Sequence, residues 1–196
     1  MRILGITGGI GSGKSSVLRL IESKNITKIK SDEIVNNLLM EDFKVMKFCK
    51  INFDIHIDKC LKNFPINKQK LANILFKDLE ALNKFEKFIW PIAFQQVKKN
   101  IVKDNITIIE ASKLYEAGWD KLCDFVLTVE ANREICISRT IKRSNLSRSD
   151  ILMRMKNQSS SKYRRNLSDF ILDNNFSYSE LEKKVKYFSK NNLINL

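Results

Sequence analysis

ILGITGGIGSGKSS, residues 3–16, decides how the rest of the chain is read. An apolar run over 3–6 leads into Gly8, Gly13, Lys14 and Ser15, which satisfy G-x-x-x-x-G-K-[ST], so strand, loop and helix are expected in that order. Lacking Cβ atoms, Gly8, Gly9, Gly11 and Gly13 are expected to take positive φ and turn backbone N–H groups inward around an anion. A helix opening near Lys14 brings its positive dipole end to the same anion. Lys14 is then expected to reach the β and γ phosphates of a nucleotide, and the Ser15 hydroxyl to ligate the Mg²⁺ that bridges them. A dinucleotide fingerprint is excluded, because starting it at Gly9 and Gly11 puts Lys14 where its third glycine must be.

The chain of 196 residues is long enough for one α/β core with an inserted subdomain. No apolar stretch approaches the length of a membrane span, and the N-terminus runs straight into a strand, so a cytoplasmic protein without a membrane partner is expected. Cys49, Cys60, Cys123 and Cys136 have no C-x-x-C spacing and read as free thiols rather than a zinc site. His56, the single histidine, reads as a solvated loop residue, which argues against histidine acid–base catalysis. The net charge of +13 (35 basic less 22 acidic residues) invites a nucleic-acid reading. The lysines, however, are scattered on helix faces without a recognisable nucleic-acid module, and a polyanionic small molecule fits the charge equally well.

Along the chain, strands are expected over 2–7, 26–29, 106–111 and 124–130, with a last one opening at Phe170. Helices are expected from Lys14 to about Ser23, from a Ser31 cap through Glu33 to Met40, and from an Asn132 cap to Arg143. Ser147 with Asp150, and Ser177 with Glu180, predict capping boxes for two more. Between 41 and 103 apolar residues recur at helical spacing, with Pro65 and Pro91, which predicts a helical insertion whose phenylalanines form its own core. Strands alternating with helices mean a parallel sheet.

Asp32, just past the second strand, is placed to serve both an acceptor hydroxyl and the metal, or else is a simple helix-start charge. Glu110, at the third strand's end, either assists the metal or faces solvent, and Glu116 and Asp120 are further polar candidates. Arg139, Arg143, Arg148, Arg154, Arg164 and Arg165 cluster as in a lid, and the run QSSSKYRR over 158–165 reads as a mobile connection within it.

Several of these segments together resemble the dephospho-coenzyme A kinase family. They are ITGGIGSGKSS, SDEIV after the second strand, WP at 90–91, KLYE ending at Glu116, RTIKR at 139–143, Gln158 with RR at 164–165, and LDNN at 172–175. The resemblance spans nearly the whole chain. It implies an α/β fold with a P-loop NTPase-type parallel sheet flanked by helices, an inserted helical acceptor-binding domain and a helical lid. The core is then expected at about 1–38, 104–138 and 166–196, the insertion at about 39–103 and the lid at about 139–165. It implies ATP-dependent phosphorylation of the ribose 3′-hydroxyl of dephospho-coenzyme A, with Mg²⁺, by a monomer or weak homo-oligomer that takes a small-molecule substrate. By position, Asp32 matches the catalytic base and, with Ser15, the metal site. Lys14 and Arg139 match catalytic cations, and Gly9, Ile10, Gly11, Ser12, Gly13, Ser15 and Ser16 the phosphate site. Arg143 matches the lid, and Asp173 and Asn174 the segment near the adenine.

The chain departs from the family pattern at Lys30 (the first Asp of D-A-D), Trp90 (the His of H-P), Ser112 and Lys113 (in P-L-L-F-E) and Phe176 (the Gly after D-N-x). These positions bear on the acceptor side and leave the phosphate loop and Asp32 intact. The rival readings are a nucleoside or nucleoside-monophosphate kinase, a P-loop ATPase or GTPase switch, and a non-catalytic nucleotide-binding relative. Against a GTPase, N-K-x-D is missing, since LDNN has the wrong order.

Overall fold

The computed structural model describes residues 2–22, 25–55, 66–103 and 105–193. Expectations that fall on Ser23, His56, Cys60 and Pro65 lie outside these residues. The chain divides into two compact units, Met1–Lys30 with Asn100–Leu196, and Ser31–Lys99.

The first unit is built on five parallel strands, β1 (Arg2–Thr7), β2 (Ile26–Lys30), β3 (Ile106–Glu110), β4 (Phe125–Glu130) and β5 (Phe170–Asp173), in the order β2-β3-β1-β4-β5. β1 is central, with Leu4 in register with Ile108 on one side and Phe125 on the other. A strand flanked on both edges and covered on both faces must be apolar throughout, as Ile3, Leu4 and Ile6 are. On one face Leu4, Ile6, Ile108, Leu127, Val129 and Leu172 pack with α1 (Lys14–Leu20) and α9 (Tyr178–Phe188), through Val17, Leu18, Leu181 and Val185. The alternate residue Gly5 points the other way, where a Cβ would come within 2.8 Å of Leu114 Cδ2 and 2.9 Å of Cys123 Sγ. Three more helices follow β4 in this unit, α6 (Arg133–Arg143), α7 (Arg148–Lys156) and α8 (Ser161–Leu167).

The second unit consists of α2 (Ser31–Glu41), α3 (Phe43–Phe53), α4 (Lys68–Lys77) and α5 (Leu79–Asn100). Asp42 and Asn67 cap α3 and α4 through their side chains, and Pro91 lies inside α5. Its phenylalanines pack on one another: Phe48 stacks on Phe88 with centroids 3.8 Å apart, and Phe53 meets Phe48 and Phe85 edge-on. None of the described helices is long and apolar enough to cross a membrane.

Local expectations fail where a side chain has a better partner. Helix α1 ends at Leu20, because Ile21 turns extended and buries itself in the core, 1% exposed. Ser31 is already helical, and its hydroxyl faces the Asp32 carboxylate at 3.5 Å instead of capping. Asn132 holds the N-cap position of α6 without a side-chain cap bond; its backbone N–H donates to Asn175 Oδ1. Ser147 and Asp150 form both halves of a capping box on α7, and the Ser177 hydroxyl caps α9 by accepting from the Glu180 N–H. Residues 158–165 are no loose connection: they lead into α8, capped by Ser160, and Arg164 within it is buried.

Candidate active site

The loop between β1 and α1 is shaped by its backbone. Gly8, Gly11 and Gly13 have φ of 147°, 77° and 104°, whereas Gly9, contrary to the expectation from its residue type, has no positive φ. Each has no room for a Cβ either: at Gly8 and Gly11 it would overlap the backbone carbonyls of Val129 and Cys136, and at Gly13 the Asn174 side-chain nitrogen. At Gly9 a Cβ would meet its neighbours only at ordinary contact distance. The place of a Cβ lies 3.4 Å from Arg164 Nη2 and 3.8 Å from Gln158 Oε1.

Lys14, 7% exposed, folds back so that Nζ donates to the Gly9 carbonyl at 3.2 Å. Ser15 Oγ donates to Glu110 Oε1 at 2.7 Å, which joins the loop to the end of β3. Ser12 Oγ is buried with no hydrogen-bond partner. A buried ammonium, an orphaned hydroxyl and a glycine cradle fit a polyphosphate. The hard oxygens of Ser15 and Glu110 fit Mg²⁺, which takes few protein ligands and completes its shell with water and phosphate. Among the described residues no group of three His, Cys, Asp or Glu could hold a metal by itself.

A second set of side chains comes from the other side of the loop. Asn174, 6% exposed, donates through Nδ2 to the Ser12 carbonyl at 2.8 Å, and its backbone N–H to the Glu130 carbonyl at 2.7 Å. Its amide thus braces the phosphate loop. Asp173 pairs with Arg165, and its carbonyl accepts from Lys184 Nζ. Arg139 donates to the carbonyls of Asn174 at 2.8 Å and Phe176 at 3.2 Å, so both its terminal nitrogens clamp the turn after β5. Arg143 is exposed at the last residue of α6, and Ser16 is half-buried in α1.

Sequence reasoning gave no role to Glu130 and passed over Gln158 as a site residue. Glu130 Oε1, at the end of β4, accepts from Arg164 Nε at 2.7 Å, in an ion pair whose side chains are 7% and 6% exposed. Gln158 Oε1 accepts from the Ile10 N–H at 2.9 Å. Glu116 Oε1 accepts from the Ser159 N–H at 2.8 Å and so fixes the same segment. A cavity of about 830 Å³ opens here, with Gly9, Ile10, Ser12, Gln158, Ser159 and Arg164 on its wall. The Cys136 thiol also borders it, and burial raises its pKa, so it stays protonated and is not a nucleophile at neutral pH. Asp32 is exposed, as the second residue of α2, two positions beyond the Lys30 that ends β2.

A parallel sheet of this order, with a phosphate loop leaving its central strand and a hydroxyl–carboxylate pair at its edge, defines a P-loop kinase fold. Residues 2–180 match the sequence model of the dephospho-CoA kinase family, and the chain belongs to that family. It is a transferase family that uses ATP to phosphorylate dephospho-CoA to CoA, which favours this reading over a nucleoside kinase or a non-catalytic relative. A curated dephospho-CoA kinase from Fusobacterium nucleatum is 33% identical over 189 residues, 95% of this chain and 96% of that protein. A solved protein from Thermus thermophilus superposes with a TM-score of 0.76 at 27% identity, covering 96% of both chains. A solved dephospho-CoA kinase from Campylobacter jejuni shares the fold, with a TM-score of 0.69 at 22% identity over the full length of both chains.

Proposed function

We propose that the protein transfers the γ-phosphoryl group of ATP in line to the ribose 3′-hydroxyl of dephospho-coenzyme A, the last step of coenzyme A synthesis. The observation that carries this reading is the joining of Lys14 and the Ser15–Glu110 pair on one phosphate loop, in a chain of this family. The bond between the 3′-oxygen and Pγ forms as the bond from Pγ to the bridging oxygen breaks, and ADP leaves. The 3′-hydroxyl proton passes to the Asp32 carboxylate, a role that rests on the resemblance of SDEIV to the family's second Asp. Bound Mg²⁺ would neutralise developing charge on the phosphate oxygens, with Ser15 and Asp32 on its protein side and Glu110 orienting the Ser15 hydroxyl. Lys14 orients the phosphates, and Arg139 holds the turn containing Asn174 in place. In this reading Ser31–Lys99 takes the acceptor, residues 139–165 cover the nucleotide, and the chain works as a monomer or weak homo-oligomer in the cytoplasm without nucleic acid.

ADP release by purified protein with Mg-ATP tests the proposal, comparing dephospho-CoA, adenosine, AMP and no acceptor. Turnover is expected with dephospho-CoA alone. It should fall by about a thousandfold or more in Lys14→Ala and about a hundredfold or more in Asp32→Asn. Equal turnover with AMP, or full activity in Asp32→Asn, would sink it.

A further inference from the structure

The loop's lysine and one arginine of the cavity wall converge on a single loop residue. Lys14 Nζ donates to the Gly9 carbonyl, and Arg164 Nη2 is turned to the same residue, 3.4 Å from the place of a Gly9 Cβ. Arg164 is 5% exposed, so its guanidinium has left water, and it is compensated on two sides. Glu130 takes Nε and the Ser159 carbonyl takes Nη1. Because a guanidinium is a planar fork, fixing Nε and Nη1 also fixes the direction of Nη2. Gln158, bonded to the Ile10 N–H, ties the chain segment just before α8 to the loop. The arginine that the family resemblance matches to a catalytic cation, Arg139, spends both terminal nitrogens on backbone carbonyls.

We propose that Arg164 contacts the terminal phosphate of the bound nucleoside triphosphate, and that Glu130 is the residue that positions it. The proposal rests on the reading of this cavity as the ATP site. Lysine in a phosphate loop serves the β and γ phosphates, so a second cation facing the same residue from the cavity side meets the outermost phosphate. A guanidinium aimed beforehand needs no reorganisation when charge develops there. The pair with Glu130 is neutral overall, so its grip on phosphate depends on contact and direction rather than on long-range attraction.

Calorimetric binding of ADP and of the β,γ-imido analogue of ATP to the full chain separates this role from a merely structural one. In Arg164→Ala the analogue should bind about tenfold or more weakly, while ADP stays within about twofold of the unaltered protein. Glu130→Gln should reproduce a smaller part of the same contrast. Should Arg164→Ala not fold, Arg164→Lys carries the test, since it keeps the charge but loses the fork and should still weaken the analogue selectively. Equal weakening of both ligands would mean that Arg164 only docks α8, and no weakening of either would mean that it faces no phosphate; each overturns the proposal. The binding contrast needs no acceptor. Absence of turnover with dephospho-CoA in the unaltered protein would therefore overturn the functional reading and leave this result standing.

Discussion

The phosphate loop over 8–15 and the flanking segment over 158–174 both contribute to the wall of one cavity, yet they are held in opposite ways. The loop takes its form from its own backbone, through positive φ at Gly8, Gly11 and Gly13 and a turn closed by the Ser12 N–H on the Gly9 carbonyl. The flank takes its form from side chains that reach far along the sequence: Arg164 to Glu130 across 34 positions, Gln158 to Ile10 across 148, and Asn174 to Ser12 across 162. A site built from backbone is written in consecutive residues. A site built from side chains is written in pairs that only the fold brings together.

The largest effect should come from breaking the place where the two meet. Gly13→Ala sets a left-handed φ of 104° on a residue with a Cβ and drives that Cβ into the Asn174 amide. We expect a loss of about 1–3 kcal/mol in stability and about a hundredfold or more in ATP affinity, read by thermal unfolding and calorimetry. Adding Asn174→Ala sharpens the comparison, because it removes the steric conflict and leaves the strained φ. Partial recovery in the double variant assigns part of the loss to the flank. No recovery assigns all of it to the loop's own backbone.

The same division explains what could be read from the sequence. The five strands, their parallel direction and the phosphate loop were legible, because contiguous apolar runs alternating with helices and glycine spacing signal them, whereas the order of the strands in the sheet was not. Glu110 and Lys14 were legible as candidates, from a strand's last carboxylate and a motif lysine; for Glu110 the sequence left open whether it faces solvent, and its burial against Ser15 decides only that. Glu130 was not, although it ends β4 as Glu110 ends β3, because its importance comes from Arg164 alone. Comparing the last residues of all the strands would have found it. Residues 158–165 read as solvated because Ser, Lys and Arg are usually exposed. Burial of Arg164 reverses that, and nothing in its neighbours announces the partner. Gly9 shows the converse error, a glycine of the motif that needs neither a positive φ nor the missing Cβ in this arrangement.

A smaller effect should follow from changing the single side chain on which the loop's hydroxyl leans. Glu110→Gln keeps an oxygen that can accept from the Ser15 hydroxyl but removes the carboxylate charge, so the bond that directs the hydroxyl weakens. The Mg²⁺ concentration for half-maximal turnover should rise about tenfold, with little change in the affinity for ADP measured without the metal. An unchanged requirement would mean that the loop's backbone sets the metal site unaided, and would move Ser15 wholly to the backbone side of the comparison.

The smallest effect lies outside both segments and gives their baseline. Burial pushes the Cys49 thiol in the helical unit from an ordinary value of 9.0 up to about 12, and burial with the nearby Asp120 and Asp124 does the same to Cys123 beside β1. A thiol whose folded pKa is raised stays neutral in both states below pH 9.0, so its full contribution to stability is present there. Above that the unfolded chain ionises first, and stability falls as pH climbs through about 12. Denaturant unfolding between these limits should show the unaltered protein losing stability more steeply than Cys49→Ala, by at most about 1.4 kcal/mol per pH unit. Added salt should lower the pH at which this loss ends for Cys123, where two carboxylates add to burial, and leave it unchanged for Cys49, because only burial acts there. No salt response at Cys123 would show that burial alone sets both thiols, and a response at Cys49 would show that charge acts on it as well.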